Sequence, residues 1–425
     1  MSANDEPVRS PAWTWLICGI LFLATFINYA NRVAVTQNSV EIKQTFQTDQ
    51  DGYGEAERKF SYGFACGGLV FGVLADWISI RWLYPVVVVA WSVAGVASGQ
   101  VSSLNEFGIC RFLLGLFEAG HWPCALRMTQ RTFLPHERTR GNGILQSGAS
   151  AGQVLVPLLL ISLDRWDATG WRLSCGIMGG IGVPWALLWL VMVRERDVRR
   201  PVIQTDESAA GTGSSQEIHE IPLWQIFMSR RWWLLLLTVV SINVPWHLIR
   251  VWLPDTLRLE YGYSKEFVDR FTSAYYVSTF FGSLSAGWIV GWLAHRGCNV
   301  HRARLLTFGG FALLVACLVP AAFQPRGTAL LVLLVITAFG TLGVAPIYYS
   351  FNQEMSGRNQ GKVGGSLSFL LWLIVGSMQA QVGVQLKADP TIRPYFFAAV
   401  GLLPVVACAA LVLFWGKRAE RAMPA

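Results

Sequence analysis

The sequence predicts an all-α integral membrane protein with twelve transmembrane helices in two six-helix pseudo-repeat bundles. Hydrophobic residues make up 53% of the 425 residues and charged residues 14%, whereas an ordinary soluble domain is about 25% charged. Apolar stretches long enough to cross a bilayer recur along the whole chain. A polar, charged, Gly- and Ser-bearing stretch at 194–231 divides them six and six. The expected domains are therefore a bundle over 1–193, a cytoplasmic linker over 194–231 and a bundle over 232–425.

The predicted spans share high apolar content and a length near 20 residues. They lie at 13–35, 60–76, 82–101, 107–126, 141–163, 171–193, 232–253, 270–293, 304–323, 328–350, 363–385 and 394–415.

The two halves resemble each other. Gly72-Val-Leu-Ala-Asp76 recurs as Gly291-Trp-Leu-Ala-His295, and Trp13 maps onto Trp232 by the same offset of 219 residues. Six crossings return a chain to its starting side, so the two repeats are parallel. Parallel repeats that rock around a central midplane site are one architecture of secondary transporters.

The charge distribution predicts a topology. The side that would hold both termini carries nearly twice as many Lys and Arg residues as the other side. By the positive-inside rule both termini are cytoplasmic, and the net charge of +8 reflects topology rather than nucleic-acid binding. The start of the chain lacks the basic region of a cleavable signal. We expect a monomer in a bacterial inner (plasma) membrane, with lipid as its surroundings.

Ionisable residues stand inside the predicted spans: Arg32 in the first, and Arg111 and Glu118 in the fourth. An ionised group at that depth costs roughly 2.5 to 3.5 kcal/mol, so a chain that keeps one uses it or pairs it. Arg111 and Glu118 are seven residues apart and share a helix face with Trp122. They form either a structural salt bridge, or a site in which Arg111 binds a carboxylate and Glu118 gains and loses a proton. Arg32 either binds the anion or pairs with Glu118.

Motifs in the first half resemble a known family. Gly72-Val-Leu-Ala-Asp76-Trp-Ile-Ser-Ile-Arg81 resembles the signature between helices two and three of the major facilitator superfamily. Asn28-Tyr-Ala-Asn31-Arg32 and Arg111-Phe-Leu-Leu-Gly115-Leu-Phe-Glu118-Ala-Gly-His-Trp-Pro123 resemble its anion:cation symporter family, of the hexuronate, galactonate and phthalate permease type.

This resemblance implies a secondary transporter of organic anions. Arg111 and Glu118 match the family's substrate and coupling positions, and Tyr29 and Asn31, which flank Arg32, are assigned to the same site. Proton-coupled sugar-acid members usually carry Asp where this chain has Asn31, which cannot titrate, so coupling to sodium, exchange and facilitation stay open.

The resemblance also implies a gate at the cytoplasmic turn. Gly72, Asp76 and Arg81 belong to the signature, and the family's Asp pairs with basic residues at the end of helix four, here Arg127 or Arg131. The alternative is an ordinary surface turn.

Further candidates for substrate contact lie on other helices. Asn243, Trp246, His247 and Arg250 stand at i, i+3, i+4 and i+7 on helix seven, which gives it one polar and aromatic face. Arg250 either lines a cavity or reaches the outer interface. Gln146 and Trp372 are weaker candidates, because the first could join helices and the second could be an interfacial tryptophan.

No catalytic, ATP-binding or metal-ligand motif stands out, so we expect no enzyme activity, cofactor or metal. The prediction is a proton symporter that imports a small organic anion by rocker-switch alternating access, with a sugar acid such as a hexuronate or aldonate as the leading substrate. The alternatives are an exchanger or facilitator, a transporter-like receptor without net transport, and a membrane enzyme acting on lipid.

Overall fold

The computed structural model describes residues 11–132, 135–163, 170–198, 227–348, 351 and 360–415. Within these ranges the side chains of residues 11, 76, 130, 135–143, 146, 163, 300, 360–362 and 390 are not described. All regular secondary structure in the described ranges is helical, which confirms the predicted fold class.

The helices of the first half are α1 (Pro11–Gln37), α2 (Ser39–Thr45), α3 (Gln50–Trp77), α4 (Ile80–Ser98), α5 (Leu104–Glu118), α6 (His121–Thr132), α7 (Pro135–Leu163), α8 (Gly170–Gly180), α9 (Gly182–Met192) and α10 (Glu195–Val198). Those of the second half are α11 (Arg230–Leu259), α12 (Lys265–His295), α13 (Val300–Ala316), α14 (Leu318–Ala322), α15 (Thr328–Gly343), α16 (Gln360–Ala388) and α17 (Arg393–Phe414), with a short 3-10 turn at Pro390–Ile392. Each of the twelve predicted spans coincides with one or two of these helices, and in the described part of the chain nine spans are long and apolar enough to cross a membrane.

Prolines explain why some spans are built from two helices. The breaks between α5 and α6, α8 and α9, and α13 and α14 each precede a proline, at Pro123, Pro184 and Pro320. A proline ring clashes with the carbonyl four residues earlier, and in all three cases that residue lies at the break. The break after Glu118 matters most, because it ends α5 at a residue predicted to carry function.

The chain divides into two compact units, one of residues 1–42 and 59–218 and the other of residues 43–58 and 219–425. The boundary near 218 falls inside the predicted linker. Residues 43–58 precede the predicted linker in sequence and group with the second unit. Helix α3 also begins at Gln50, before the predicted start at 60, because its polar first turns hide it from a search for apolar segments.

In the first unit, α1 packs against α7, and α4 packs against α5 and α8. In the second unit, α11 packs against α16 and α17, and α12 packs against α15. Glycines permit close backbone contact between α3 and α5: a Cβ on Gly63 or Gly67 would overlap the backbone of α5, and one on Gly115 would overlap the backbone of α3.

Gly67→Ala should therefore destabilise the first unit. Its new methyl group would strike the backbone of Leu116, and such overpacking costs about 1–3 kcal/mol. Gly68→Ala is the matched control, because a Cβ there meets nothing within 4 Å and alanine is the better helix former. Thermal unfolding in detergent checks the pair, and equal midpoints for the two variants would contradict the close contact.

Candidate functional site

A buried ion pair joins α1 to the end of α5. Arg32 Nε lies 2.7 Å from Glu118 Oε2, and the two residues are 2% and 0% exposed. Asn28, one turn before Arg32, accepts a hydrogen bond from Arg32 Nη2 at 3.0 Å and donates one to the backbone carbonyl of Glu118 at 3.3 Å. The amide therefore holds both partners in register. The sequence offered Arg111 and Arg32 as partners of Glu118, and the structure shows Arg32 in direct contact with it.

Aromatic rings of α1 and α3 lie close to the two arginines. The guanidinium carbon of Arg111 lies 4.3 Å from the centroid of Phe60, and that of Arg32 lies 5.3 Å from the same ring. Arg32 also lies 4.7 Å from the Phe64 ring and 5.0 Å from the Tyr29 ring. Cation–π contacts of this kind stabilise a positive charge removed from water. The shared Phe60 ring thus brings the two predicted anion-binding arginines to one place, with Arg111 completely buried.

Asn31 faces another direction. Its amide donates to the carbonyl of Ile27 at 3.2 Å, within its own helix. Its side-chain oxygen lies next to Gly95 of α4, because a Cβ added to Gly95 would stand 3.2 Å from that oxygen. Asn31 therefore follows Arg32 in sequence but turns toward a different neighbour.

Trp122 is half-buried, and its ring packs edge-on against His121 at 5.1 Å.

His121 is fully buried. Its Nδ1 lies 2.7 Å from the hydroxyl oxygen of Tyr84, and its Nε2 lies 3.1 Å from the hydroxyl oxygen of Thr25. Because Thr25 already donates its hydroxyl hydrogen to Leu21, its oxygen accepts from Nε2 of His121. These two contacts tie the turn that follows Glu118 to Thr25 of α1 and Tyr84 of α4.

The second unit brings two of the predicted aromatic and polar residues together. The His247 and Trp372 rings lie 4.7 Å apart. Gln379 on α16 donates to the backbone carbonyl of His247 at 3.1 Å and accepts from Trp252 Nε1 at 2.6 Å. His247 on α11 is thereby held against α16.

The other residues on this stripe of α11 turn elsewhere. Trp246 packs edge-on against Tyr276 of α12 at 5.8 Å, so it points away from His247. Asn243 is half-buried and donates to the carbonyl of Val239 in its own helix at 2.8 Å. The polar and aromatic residues predicted to form one face of α11 therefore contact two different helices, α16 through His247 and α12 through Trp246.

Arg250 is 4% exposed, and its Nη2 lies 3.7 Å from Glu57 Oε2. Glu57 is 1% exposed. Arg250 is therefore buried beside Glu57, and whether it lines a substrate cavity stays a prediction.

The side chain of Gln146 lies outside the described residues. Its helix α7 approaches α1 closely, because a Cβ on Gly152 would lie 2.7 Å from the carbonyl oxygen of Phe26 and one on Gly148 would overlap the backbone of Phe22. Small residues at such a contact are typical of helix packing in membranes.

A family model described as Major Facilitator Superfamily matches residues 21–380. The chain belongs to the major facilitator superfamily. Its members are membrane transporters, so the chain is a multi-pass membrane protein and a transporter.

Curated relatives from this superfamily match most of the chain. A probable sulfoacetate transporter of Cupriavidus necator is 24% identical over 360 residues, covering 83% of each chain. A D-galactonate transporter of Escherichia coli is 22% identical over 84% of this chain and 85% of the relative. A hexuronate transporter of Escherichia coli is 22% identical over 87% and 88%. These names agree with the resemblance to the anion:cation symporter family.

Solved structures of the superfamily share the fold. The proton:xylose symporter XylE of Escherichia coli, bound to 6-bromo-6-deoxy-D-glucose, gives a TM-score of 0.72 at 12% identity, covering 96% of this chain and 97% of that chain. A bacterial homologue of the human lysosomal transporter Spinster, in an inward-facing and occupied conformation, gives 0.71 at 18% identity, covering 95% and 97%.

The signature between α3 and α4 is only partly described. Arg127 donates to the backbone carbonyl of Ala75, directly before Asp76, whose side chain lies outside the described residues. Arg81 donates to the carbonyl of Leu190 at 3.3 Å. Gly72 has open space where a Cβ would stand. The gating role of these residues stays a prediction.

Several residues at these sites were not singled out from the sequence. Phe60 and Phe64 look like ordinary core residues of a membrane helix, and no pattern distinguishes them. His121 carried a usable signal, because it follows Glu118 by three residues on the same face. Glu57 lies before residue 60, where the second span was predicted to begin, so helical spacing assigned it to no face.

Proposed function

We propose that the chain is a proton symporter that imports a small organic anion, with sugar acids such as hexuronates or aldonates as the leading substrates. The observation that carries the proposal is the buried contact of 2.7 Å between Arg32 and Glu118, with Arg111 on the same aromatic ring. The names of the galactonate and hexuronate transporters support the substrate class.

Coupling follows from competition for one guanidinium. While Glu118 is ionised it occupies Arg32, and a substrate carboxylate must compete for the same donors. A proton taken from the outer solution neutralises Glu118 and releases Arg32, which then binds the carboxylate together with Arg111. Linkage makes this reciprocal, because an anion bound to Arg32 favours protonation of Glu118 by the same free energy.

The charge of the site supports movement of proton and anion together. Two arginines and one ionised glutamate carry a net positive charge, and adding one proton and one carboxylate leaves that charge unchanged. Adding either one alone changes it, in a site whose residues are almost fully buried and where uncompensated charge is costly. The empty site and the fully loaded site are therefore the states best suited to alternate access between the two sides.

Other parts of the proposal rest on the sequence. Ring and hydroxyl contacts are assigned to Tyr29, Asn31, Trp122, Gln146, Asn243, Trp246, His247 and Trp372. Alternating access by rocking of the two halves, cytoplasmic termini, a monomer and an inner membrane belong to the same proposal.

Uptake into proteoliposomes tests the function. We would measure labelled glucuronate, galacturonate, galactonate and glucarate with an inward proton gradient, with an inward sodium gradient and with neither. At least one of these acids should accumulate only under the proton gradient, and a protonophore should abolish the accumulation. Binding without flux would instead indicate a receptor.

A second function is favoured by one observation, the amide of Asn31 where related proton-coupled carriers have an acid. Without a titratable group there, the chain could exchange anions or let them equilibrate. Saturable flux that ignores pH and is stimulated by unlabelled anion on the far side would identify this exchanger and reject symport.

A further inference from the structure

A pocket in the second unit lies between four helices and takes no part in the proposed mechanism. It is formed where α11 and α14 end and where α15 and α17 begin. The topology predicted from the charge distribution puts these four helix ends on the outer side of the membrane. Most of the lining is apolar, with side chains that include Leu257, Leu318, Ala321, Leu330, Leu334 and Phe397.

One arginine of the lining is buried with part of its guanidinium unused. Arg393, the first residue of α17, is 4% exposed, and its Nη1 donates to the hydroxyl oxygen of Thr256 at 3.1 Å. Its Nε lies 2.8 Å from Glu260 Oε1, in an ion pair without hydrogen-bond geometry. Within the described residues its Nη2 has no hydrogen-bond partner. Buried polar groups are nearly always hydrogen-bonded, so an unsatisfied one points to an occupant of the site.

Glu260 gives the pocket its negative charge. Its side chain is 34% exposed, so the carboxylate is open to a partner from outside as well as to Arg393. Burial raises the pKa of Glu260, Arg393 opposes this rise, and the charge of Asp255 adds to it. Because the pKa stays raised, a second cation beside Glu260 would stabilise its ionised form. Arg393 and Glu260 together carry no net charge, so the best-matched ligand has one negative and one positive group.

The pocket lies at the level of the lipid headgroups. Glu260 directly follows the candidate span of α11, and Arg393 begins that of α17. Phe323 and Tyr395 each follow a lining residue in the chain. Their rings pack edge-on at 5.5 Å and are 54% and 66% exposed. Exposed aromatic rings at the ends of spans are typical of the boundary between lipid and water, so the membrane itself is the nearest source of a ligand.

The chemistry of the pocket favours a lipid over a soluble ion. An inorganic anion on Arg393 would give Glu260 no cation and would make no use of the apolar lining. A phospholipid headgroup with one phosphate and one primary ammonium supplies an acceptor for the guanidinium and a donor for the carboxylate. Basic pockets between transmembrane helices hold lipid headgroups.

We propose that this pocket binds the headgroup of a phospholipid from the outer half of the bilayer, with its phosphate on Arg393 and its primary ammonium on Glu260. The apolar side chains around the pair lower the local dielectric constant, which strengthens both contacts. The bound headgroup links the ends of α11 and α17, so it stabilises the second unit. The site does not depend on the proposed proton symport.

Lipid titrations of the purified full-length protein, followed by native mass spectrometry, test the site. The probes are dioleoyl lipids with three headgroups: phosphatidylethanolamine, phosphatidylcholine and phosphatidylglycerol. The choline group has no N–H donor, and the glycerol group has no positive charge. Wild type should therefore hold its first phosphatidylethanolamine at least about tenfold more tightly than either of the other two lipids.

Two variants separate the two contacts. Glu260→Gln should bind phosphatidylethanolamine and phosphatidylcholine equally, because it loses the ammonium contact alone. Arg393→Gln should bind all three lipids weakly, because it loses the phosphate contact. Arg326→Gln is the matched control. Arg326 lies between α14 and α15, donates to the carbonyl of Gly262 at 3.2 Å and is not among the described residues that line the pocket, so its substitution should keep the wild-type preference.

The outcomes are decisive for the lipid site. Equal binding of the three lipids by wild type would overturn it. A preference for phosphatidylethanolamine that survives in Glu260→Gln would overturn it too, because the ammonium would then be recognised elsewhere. If Arg393→Gln does not fold, loss of the preference in Glu260→Gln supports the site by itself. Displacement of the lipid by an equal concentration of free phosphoethanolamine would identify a soluble ligand and reject a lipid. These binding measurements involve no transport, so failure of the proposed symport and failure of this inference are distinguishable.

Discussion

Glu118→Gln protein is expected to lose proton-driven accumulation of the organic anion while it still exchanges internal for external anion. Glutamine has the shape of a protonated glutamic acid and cannot release a proton, so Arg32 stays permanently available to the carboxylate. Anion binding should then become independent of pH. The variant can no longer move a proton with each anion, but the anion can still cross.

The size of this effect can be stated. A gradient of one pH unit is worth about 1.4 kcal/mol per proton, so one coupled proton supports about tenfold accumulation. Wild type should approach that ratio. In Glu118→Gln the substrate concentrations inside and outside the vesicles should become about equal. The measurements are the steady-state accumulation of labelled substrate and its exchange against unlabelled substrate.

Glu106→Gln provides the control for Glu118→Gln. Glu106 lies on the same helix but belongs to its exposed first turn, where backbone N–H groups of Ser102 and Ser103 bind its carboxylate and lower its pKa. Its substitution should leave accumulation intact. Gradient-driven accumulation that persists in Glu118→Gln but not in Glu106→Gln would remove Glu118 from the coupling mechanism.

Much of the first site could be predicted because helical spacing fixes which residues share a face. Asn28 and Arg32 are four residues apart, which puts them on one face of a helix, and the structure shows a hydrogen bond of 3.0 Å between them. Spacing cannot say which face of one helix meets which face of another. The shared face of Arg111 and Glu118 made them candidates for each other, yet Glu118 forms an ion pair with Arg32 of a different helix.

The buried pair of Arg250 and Glu57 shows a different limit of prediction from sequence. Glu57 lies among Glu55, Arg58 and Lys59, and such a run of charged residues predicts a helix start that is exposed to solvent. Its neighbours do remain partly exposed, whereas Glu57 is buried because it points toward α11. Contacts between segments far apart in sequence decide this, and one sequence carries no record of them.

Arg111→Ala should weaken anion binding, and Arg32→Ala should weaken both anion binding and the fold. Truncating one partner of a buried, hydrogen-bonded charge pair costs about 2–5 kcal/mol, which corresponds to roughly 30-fold to several-thousand-fold weaker binding. We expect this loss for Arg111, which the proposal reserves for the substrate. Titration of galactonate or glucuronate against tryptophan fluorescence measures it.

Removing Arg32 has a second consequence, because it takes away the ion-pair partner of Glu118. Breaking a buried pair in this way costs about 3–5 kcal/mol of stability, so Arg32→Ala should lower the thermal unfolding midpoint as well as the affinity. Adding Glu118→Gln should recover much of the stability, since the double variant no longer buries that charge, but should not recover the binding. Arg270→Ala is the control for charge removal, since its pair with Glu266 is exposed and worth little.

The pattern across these variants separates the two roles that the sequence left open. If Arg111→Ala binds sugar acids as wild type does, Arg111 is not an anion ligand and the substrate site must be sought elsewhere. If Arg32→Ala loses stability but binds normally, Arg32 is only a structural partner of Glu118, and competition for its guanidinium cannot couple the proton to the anion. Loss of binding in both variants, with recovery of stability alone in the double variant, is the result that the buried geometry requires.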